Sequence, residues 1–285
     1  MTTLTPPATR PASTGPSART GSAARRLRAL ARAELTLLVR NRVAVFYAVL
    51  AAPAFVLALG SSGLLDNIAS VMPGGGMATM LIVLLVLMGM SMSVYINVTT
   101  AVVARREALV LKRLRTGESR AWEILTAVAA PNVAIFLLQV VLVTGALSLV
   151  MEPPALTNPL VALVGVLLGG VVFAQLAFLT GVLTRTVESA QLTTMPLFLL
   201  AFFASGFIVP LPVLPDAVGE VLSRLPVYPV TELVTIGIGG ASATGEQLSL
   251  GETFTASLEP VAVMVVWAVL LGYAVVRSMR WEPRR

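Results

Sequence analysis

The sequence lacks cysteine and histidine altogether across its 285 residues. Without cysteine the chain has no disulfide bonds and no thiolate ligands or nucleophiles. Without histidine it has no imidazole metal ligand, no histidine-based proton switch and no Ser-His-Asp triad. Charged residues are also few, at 12%, where soluble domains carry roughly 25%. These absences leave little chemistry in the chain, which we therefore expect not to be an enzyme.

Hydrophobic residues, in contrast, make up 56% of the sequence and are concentrated in six long runs. A helix rises about 1.5 Å per residue and a bilayer's hydrocarbon layer is roughly 30 Å thick, so each run can cross it or nearly so. The sequence therefore predicts an all-α polytopic membrane protein with six transmembrane helices. The expected spans are residues 43–60, 77–104, 124–150, 160–184, 190–209 and 260–279.

No aspartate or glutamate falls inside these six runs. Carriers coupled to protons or sodium use buried carboxylates, so an ion-coupled secondary transporter is disfavoured. A phosphate-binding loop of the form GxxxxGK[ST] is also missing, because the single lysine, Lys112, follows Leu111. If the chain moves anything uphill, the energy must come from another polypeptide.

The amino-terminal part divides into a polar tail and an amphipathic helix. Residues 1–24 are rich in Thr, Pro, Ser and Ala, and predict a disordered cytoplasmic tail ahead of one permease domain over residues 25–285. From Ala24 to Arg42, apolar side chains share one helical face and arginines the other, which predicts a helix lying at the membrane interface. Its candidate functional residues are Arg28, Arg32, Glu34 and Arg40.

Glu34 falls in the middle of the apolar face of this helix. An unpaired carboxylate is costly there, so we expect it to meet a basic group, with the lipid headgroups as the alternative.

The basic residues indicate the orientation of the chain. Nineteen of the 20 lysines and arginines fall in the termini and in the second and fourth connections between spans. The positive-inside rule therefore predicts that both termini are cytoplasmic. In a membrane chain this placement matters more than the net charge of +6, so no nucleic-acid partner is expected.

The segment RREALVLKRLRTGESR, residues 105–120, separates the second and third spans. As a helix it presents a basic face with Lys112 and Arg113 and an apolar face with Leu111 and Leu114. Two interpretations remain open. The segment is a solvated loop whose positive charge fixes the topology, or it is a docking helix for a cytoplasmic partner.

Several polar side chains interrupt the spans: Ser93, Asn97, Asn132, Gln139 and Gln175. They either line a passage or hold helices together. The packing interpretation is favoured because amide and small side chains commonly join helices in lipid, and Gly165 and Gly169 on the fourth span fit the same role.

The longest outer connection covers residues 210–259. Pro215 and Asp216 start an amphipathic pattern that ends at Pro226, which predicts a short helix at the outer membrane face. The stretch 237–251 is rich in Gly, Ser, Thr and Ala, and predicts a mobile loop.

The order of these elements, together with RREALVLKRLRTGESR and SGFIVPLPVLPDAVGEVLSRLPVYPV, resembles the type-2 exporter permeases of the ATP-binding-cassette (ABC) transporters, including drug and antibiotic efflux systems. The resemblance covers about residues 25–285. It implies an ATPase-coupling segment, in which Gly117 and Glu118 stand where many relatives have a proline. The residues concerned are Arg105, Arg106, Glu107, Lys112, Arg113, Leu114, Arg115, Gly117 and Glu118. It also implies an outer gate at Phe207, Pro210, Pro215, Pro226 and Pro229.

The resemblance further implies the partners of the chain. It predicts a permease that pairs as a homodimer in the bacterial cytoplasmic membrane, surrounded by membrane lipid, with two cytoplasmic ATPase subunits. ATP and magnesium are expected on those subunits, and no cofactor in this chain. Because the spans are mostly uncharged, an amphipathic or hydrophobic cargo is expected. A non-transporting membrane scaffold is the alternative function.

Overall fold

The computed structural model describes residues 28, 32–33, 36, 39–40, 42–63, 76–116, 120–151, 153–207, 211, 214–242, 245–279 and 281. In this part of the chain the fold is all-α, with one isolated β-bridge between Ala241 and Gln247. The predicted fold class, an all-α polytopic membrane protein, is confirmed. The helices are α1 (residues 42–61), α2 (Met77–Glu107), α3 (Val110–Thr116), α4 (Ala121–Val150), α5 (Pro159–Leu183), α6 (Val187–Ala204), α7 (Asp216–Ser223), α8 (Val227–Gly239) and α9 (Leu250–Ser278).

Five of these helices, α2, α4, α5, α6 and α9, are long and apolar enough to cross a membrane. They coincide with five of the six expected spans. The remaining expected span corresponds to α1, whose apolar part, Val49–Ser61, is shorter. Successive long helices run in opposite directions, so the connections gather at two ends.

The two ends of the bundle carry opposite charge, and we name them accordingly. The basic end holds α3, Arg120 and Arg185 in the neighbouring connections, and Arg277 in the last turn of α9. The acidic end holds the connections that contain Asp216, Glu220, Glu246 and Glu252. This distribution is the one that the positive-inside rule describes.

The core of the bundle is built around α2. Most of its side chains are buried, including a continuous run from Ala78 to Ser91. The middle of α2, Gly89–Ile96, is π-helical, and it packs against a π-helical segment of α1, Phe46–Ala51. Gly89 admits the ring of Phe136 from α4, since a Cβ there would lie 2.7 Å from Phe136 Cδ2. A central helix enclosed on all sides explains why α2 reads as an unbroken apolar run.

Helix α8 was not predicted from the sequence, yet it packs deep against α5. Asn158 N–H donates to Gly237 O at 2.8 Å, and further along, Val230 lies against Gly169. From Asn158 to Gly169, α5 rises about 16 Å, which is roughly half the hydrocarbon thickness. Helix α8 therefore occupies only the half of the bundle nearest the acidic end.

Helices α7 and α8 form a bent pair, which we call the α7–α8 hairpin. Their axes are bent by 83° at the break between Ser223 and Val227, the geometry of a broken span or of a re-entrant loop. Backbone groups at such a depth need partners within the protein, and Trp267 Nε1 of α9 donates to Arg224 O at 2.7 Å. The predicted short helix after Pro215 is confirmed as α7, and Pro226, expected to end it, also begins the next helix.

The expected mobile loop over residues 237–251 is wrong at both ends. Its first residues complete α8, where Gly237 packs against Ala162, and its last residues begin α9. Ser249 and Glu252 form a capping box in which Ser249 N–H donates to Glu252 Oε2 at 2.8 Å. Helix α9 consequently begins well before the expected span, and Pro260 lies inside it.

The contact between α5 and α8 predicts the effect of Gly165→Ala. A Cβ at Gly165 would lie 2.7 Å from Leu233 Cβ, close to the partner backbone where little can move. Overpacking of this kind costs about 1–3 kcal/mol, more than the gain of up to about 1 kcal/mol from replacing a helical glycine. We expect a lower melting temperature of the purified chain in detergent.

The matched control is Gly145→Ala on α4, where a Cβ meets nothing within 4 Å. This variant should melt at or slightly above the wild-type temperature. Equal melting temperatures for the two variants would contradict the close packing of α8 on α5.

Candidate functional site

The charged segment forms a corner followed by the short helix α3. Helix α2 ends at Glu107, and Leu109 adopts a left-handed conformation with φ of 57°. For leucine this conformation costs about 1 kcal/mol, so the surrounding contacts must hold it. Arg113 N–H donates to Leu109 O at 3.1 Å, which starts α3 directly after the corner. The corner sets the direction of α3 relative to α2.

Helix α3 has the two faces that the sequence predicts. Leu111 is completely buried and Leu114 is half-buried. Lys112, Arg113 and Arg115 are exposed at the basic end. The guanidinium of Arg115 lies 5.7 Å from the centroid of the Trp281 ring, beyond the end of α9. Gly117 and Glu118 lie outside the described residues.

Arg106 is 1% exposed and points into the protein, away from the surface. Its Nη1 donates to Gly181 O at 2.8 Å, and its Nη2 donates to Thr184 O. These carbonyls belong to the end of α5, where the last turn of a helix lacks backbone partners and carries partial negative charge. Arg106 therefore caps α5 instead of presenting its charge to solvent.

Glu107 contacts the helix that follows. Its Oε1 accepts a hydrogen bond of 3.2 Å from Val187 N–H, at the start of α6, where a carboxylate is favoured by the helix dipole. Arg106 and Glu107 thus hold both sides of the turn between α5 and α6, and we call this pair the α5–α6 latch. Nearby, the side chain of Arg105 donates back to Ala101 O at 2.9 Å.

Sequence reasoning grouped Arg106 and Glu107 with the exposed docking residues. The structure separates the two sets, because the arginines of α3 face solvent while Arg106 is enclosed. Sequence reasoning also missed Glu123, which is completely buried at the start of α4. Its Oε2 accepts from Arg120 N–H at 2.8 Å, and the spacing of these two residues was an available capping signal.

Two of the polar residues within the spans join three helices. Ser93 Oγ donates to Gln139 Oε1 at 3.0 Å, and Gln139 Nε2 donates to Val49 O at 3.0 Å. These bonds link the π-helical segments of α1 and α2 through α4. A π-helical turn shifts backbone carbonyls from their α-helical positions, and such turns are frequent at functional sites.

The other three polar residues are also enclosed to different degrees. Asn97 and Asn132 are buried and donate to carbonyls one turn earlier, Ser93 O and Val128 O. Gln175 Nε2 donates to Ala268 O at 3.0 Å and joins α5 to α9. The contact of Gln175 fits the packing interpretation, whereas those of Asn97 and Asn132 stay within their own helices.

The residues expected at an outer gate surround the α7–α8 hairpin. Phe207 is buried just after α6, and Pro226 and Pro229 are buried at the start of α8, while Pro215 is exposed before α7. The end of α6 is tied to α8, since Thr231 Oγ1 donates to Ser205 O at 2.8 Å. Pro210 lies outside the described residues.

The amino-terminal amphipathic helix is described in part. Arg28, Arg32 and Arg40 are helical and exposed. Glu34 lies outside the described residues, and its expected basic partner therefore stays a prediction.

The sequence matches a known protein family. A family model described as "ABC-2 family transporter protein" matches residues 65–277, the larger part of the chain and all helices from α2 to α8 with nearly all of α9. Among curated proteins, none matches the chain.

The α5–α6 latch predicts that Arg106→Gln loosens the turn between these helices. Hydrogen bonds from a charged donor contribute about 1.5–3 kcal/mol each, so losing two of them should lower the melting temperature clearly. Hydrogen–deuterium exchange should accelerate in peptides that contain residues 184–187. Arg113→Gln is the control, because an exposed arginine should change stability by less than about 0.5 kcal/mol. Equal exchange rates in the two variants would contradict the role of Arg106 in holding the turn between α5 and α6.

Proposed function

This chain belongs to the ABC-2 family of transporter proteins, and we propose that it is an exporter permease driven by ATP hydrolysis on a separate cytoplasmic subunit. Family membership makes it a membrane permease component of an ABC transporter. The power source, the direction of transport and the cargo belong to the proposal. ATP and magnesium are bound by the partner subunit, and this chain needs no cofactor of its own.

The observation that carries the proposal is the two-sided character of α3. Leu111 is buried and holds the helix against the bundle, while Lys112 and Arg113 are exposed and can contact an acidic surface. A cytoplasmic ATPase that docks on this basic face can push α3 when it closes on ATP. Lys112 and Arg113, on the exposed face of α3, are the docking residues that this step requires.

The α5–α6 latch supplies a route for that push. Movement of α3 displaces the end of α2, and Arg106 and Glu107 pass the displacement to the turn between α5 and α6. Helix α6 then acts on α8 through the bond from Thr231 to Ser205. In this proposal the α7–α8 hairpin is the outer gate, and the residues around Phe207 and Pro229 form its hinge.

A homodimer is the proposed assembly. Helix α6 exposes an apolar stripe at helical spacing, formed by Leu192, Met195, Leu199 and Phe203. A second copy of the chain covering this stripe would enclose a path between two permeases. The lack of carboxylates in the spans favours an amphipathic or hydrophobic cargo, moved outward across a bacterial cytoplasmic membrane.

Charge reversal on α3 tests the docking step. In Lys112→Glu/Arg113→Glu, like charges should repel the acidic surface of an ATP-binding-cassette subunit, so that this subunit no longer co-purifies with the tagged chain. Because both side chains are exposed, insertion and yield should be unchanged. Arg185→Glu, an exposed basic residue in the next connection at the same end, should retain the partner. Loss of the partner in both variants, or in neither, would contradict docking on α3.

Reconstitution tests the function itself. In sealed proteoliposomes, the chain with its ATPase subunit should show ATP hydrolysis that is stimulated by members of a panel of amphipathic and hydrophobic compounds. The chain alone should move none of them. Transport without an ATPase would point to a secondary carrier, and an ATPase that no compound stimulates would favour the scaffold.

A further inference from the structure

An apolar groove lies at the basic end between α4, α5 and α9. Its volume is about 480 Å³, within the range that takes a molecule of drug size. The lining runs along α4 from Ala121 to Leu137, a length of about 24 Å. That length exceeds the hydrocarbon depth of one leaflet, about half of 30 Å. The groove is therefore long enough for an extended acyl chain.

Small side chains leave the space of the groove, and a hydrogen bond joins two of the helices that line it. Ala130 and Ala134 of α4 and Gly272 of α9 line the groove. Gln175, also in the lining, holds α5 to α9 through its bond to Ala268 O. The described residues that line the groove include no charged side chain.

The groove is open at the lateral surface of the bundle. Trp122 is 49% exposed and Val276 is 75% exposed, although both line it. Trp281 lines the groove as well, beyond the end of α9. Tryptophans at this position are typical of the boundary between hydrocarbon and headgroups. The occupant can thus reach the groove from one membrane leaflet.

One arginine lies at the mouth of the groove, and two more are chain neighbours of its lining. The guanidinium of Arg115 lies over the ring of the lining residue Trp281. Arg120 immediately precedes the lining residue Ala121, and Arg277 follows Val276, with its guanidinium 6.0 Å from the centroid of the Tyr273 ring. All three arginines are exposed. The nearest described carboxylate along the chain, that of Glu123, is completely buried and accepts from a backbone N–H, so it does not face the mouth.

An apolar groove with an exposed arginine at its mouth and two more beside its lining suits one kind of molecule, a lipid with an anionic headgroup. We propose that the groove binds an acyl chain of an anionic phospholipid from the leaflet at the basic end, with the phosphate held by Arg115, and with Arg120 and Arg277 adding positive charge nearby. Because Arg115 belongs to α3 and Trp281 follows α9, the bound lipid also steadies α3 against the bundle.

Native mass spectrometry of the purified full-length chain tests this proposal without any ATPase. The probes are phosphatidylglycerol and phosphatidylcholine with identical acyl chains, added in a titration. The wild type should retain phosphatidylglycerol preferentially. Arg115→Gln should weaken that retention about fivefold, the effect of one basic residue near an anionic surface, and leave phosphatidylcholine unchanged. Arg185→Gln, an exposed arginine away from the groove, should behave as wild type.

Filling the groove tests where the acyl chain lies. Ala134→Trp should abolish retention of both lipids, whereas Ala146→Trp, an exposed position on the same helix outside the groove, should retain them. Equal retention by these two variants would overturn the proposal, as would a wild type that does not distinguish the lipids. A groove that instead receives a second copy would show Ala134→Trp shifting the oligomeric state with lipid retention intact.

Cross-linking provides a measurement on the unaltered chain, should Ala134→Trp fail to fold. Phosphatidylglycerol with a diazirine at the end of its acyl chain should label peptides that contain residues 171–178 or 272–276. Labelling confined to other peptides would refute the site.

Discussion

The buried guanidinium of Arg106 is the contact on which the basic end of the molecule depends. One side chain satisfies two carbonyls at the end of α5, and the adjacent Glu107 holds the start of α6. In a membrane protein, helix ends without partners are especially costly because little water is available to replace them. The same pair therefore satisfies backbone groups at the end of α5 and the start of α6, and it joins the corner before α3 to these two helices.

The centre of the bundle is held by close packing and by hydrogen bonds between side chains and backbone. Helix α2 is enclosed by its neighbours, and the bonds from Ser93 to Gln139 and from Gln139 to Val49 O fasten it to α4 and α1. Between helices in lipid there is no hydrophobic gradient, so association rests on close packing and such bonds. The π-helical segments of α1 and α2 meet at Gln139, and their backbone carbonyls depart there from α-helical positions.

Much of the fold could be predicted from the sequence, because long apolar runs and clustered arginines are strong local signals. The runs located five long helices, and Leu111 and Lys112 correctly indicated the two faces of α3. Helix α8 was missed, since Gly237 and its neighbours suggest a loop when read alone. Only α5, with Gly165 facing Leu233, turns that stretch into a packed helix. The latch was also hidden, because nothing in the sequence distinguishes the buried Arg106 from the exposed arginines beside it.

Helix α8 reaches only about half-way into the bundle from the acidic end. A complete transmembrane span cannot shift far along its axis without drawing a charged connection into hydrocarbon, which is expensive. A hairpin that reaches only half-way keeps its polar connections, including Glu246 and Ser249, in water throughout. Its polar contacts to α9 near the break are the bond from Trp267 Nε1 to Arg224 O and the ion pair between Arg224 and Glu259, whose charged atoms lie 3.1 Å apart. If the chain exports cargo as proposed, release from the far half of the membrane requires these contacts to open while the five long helices stay in place.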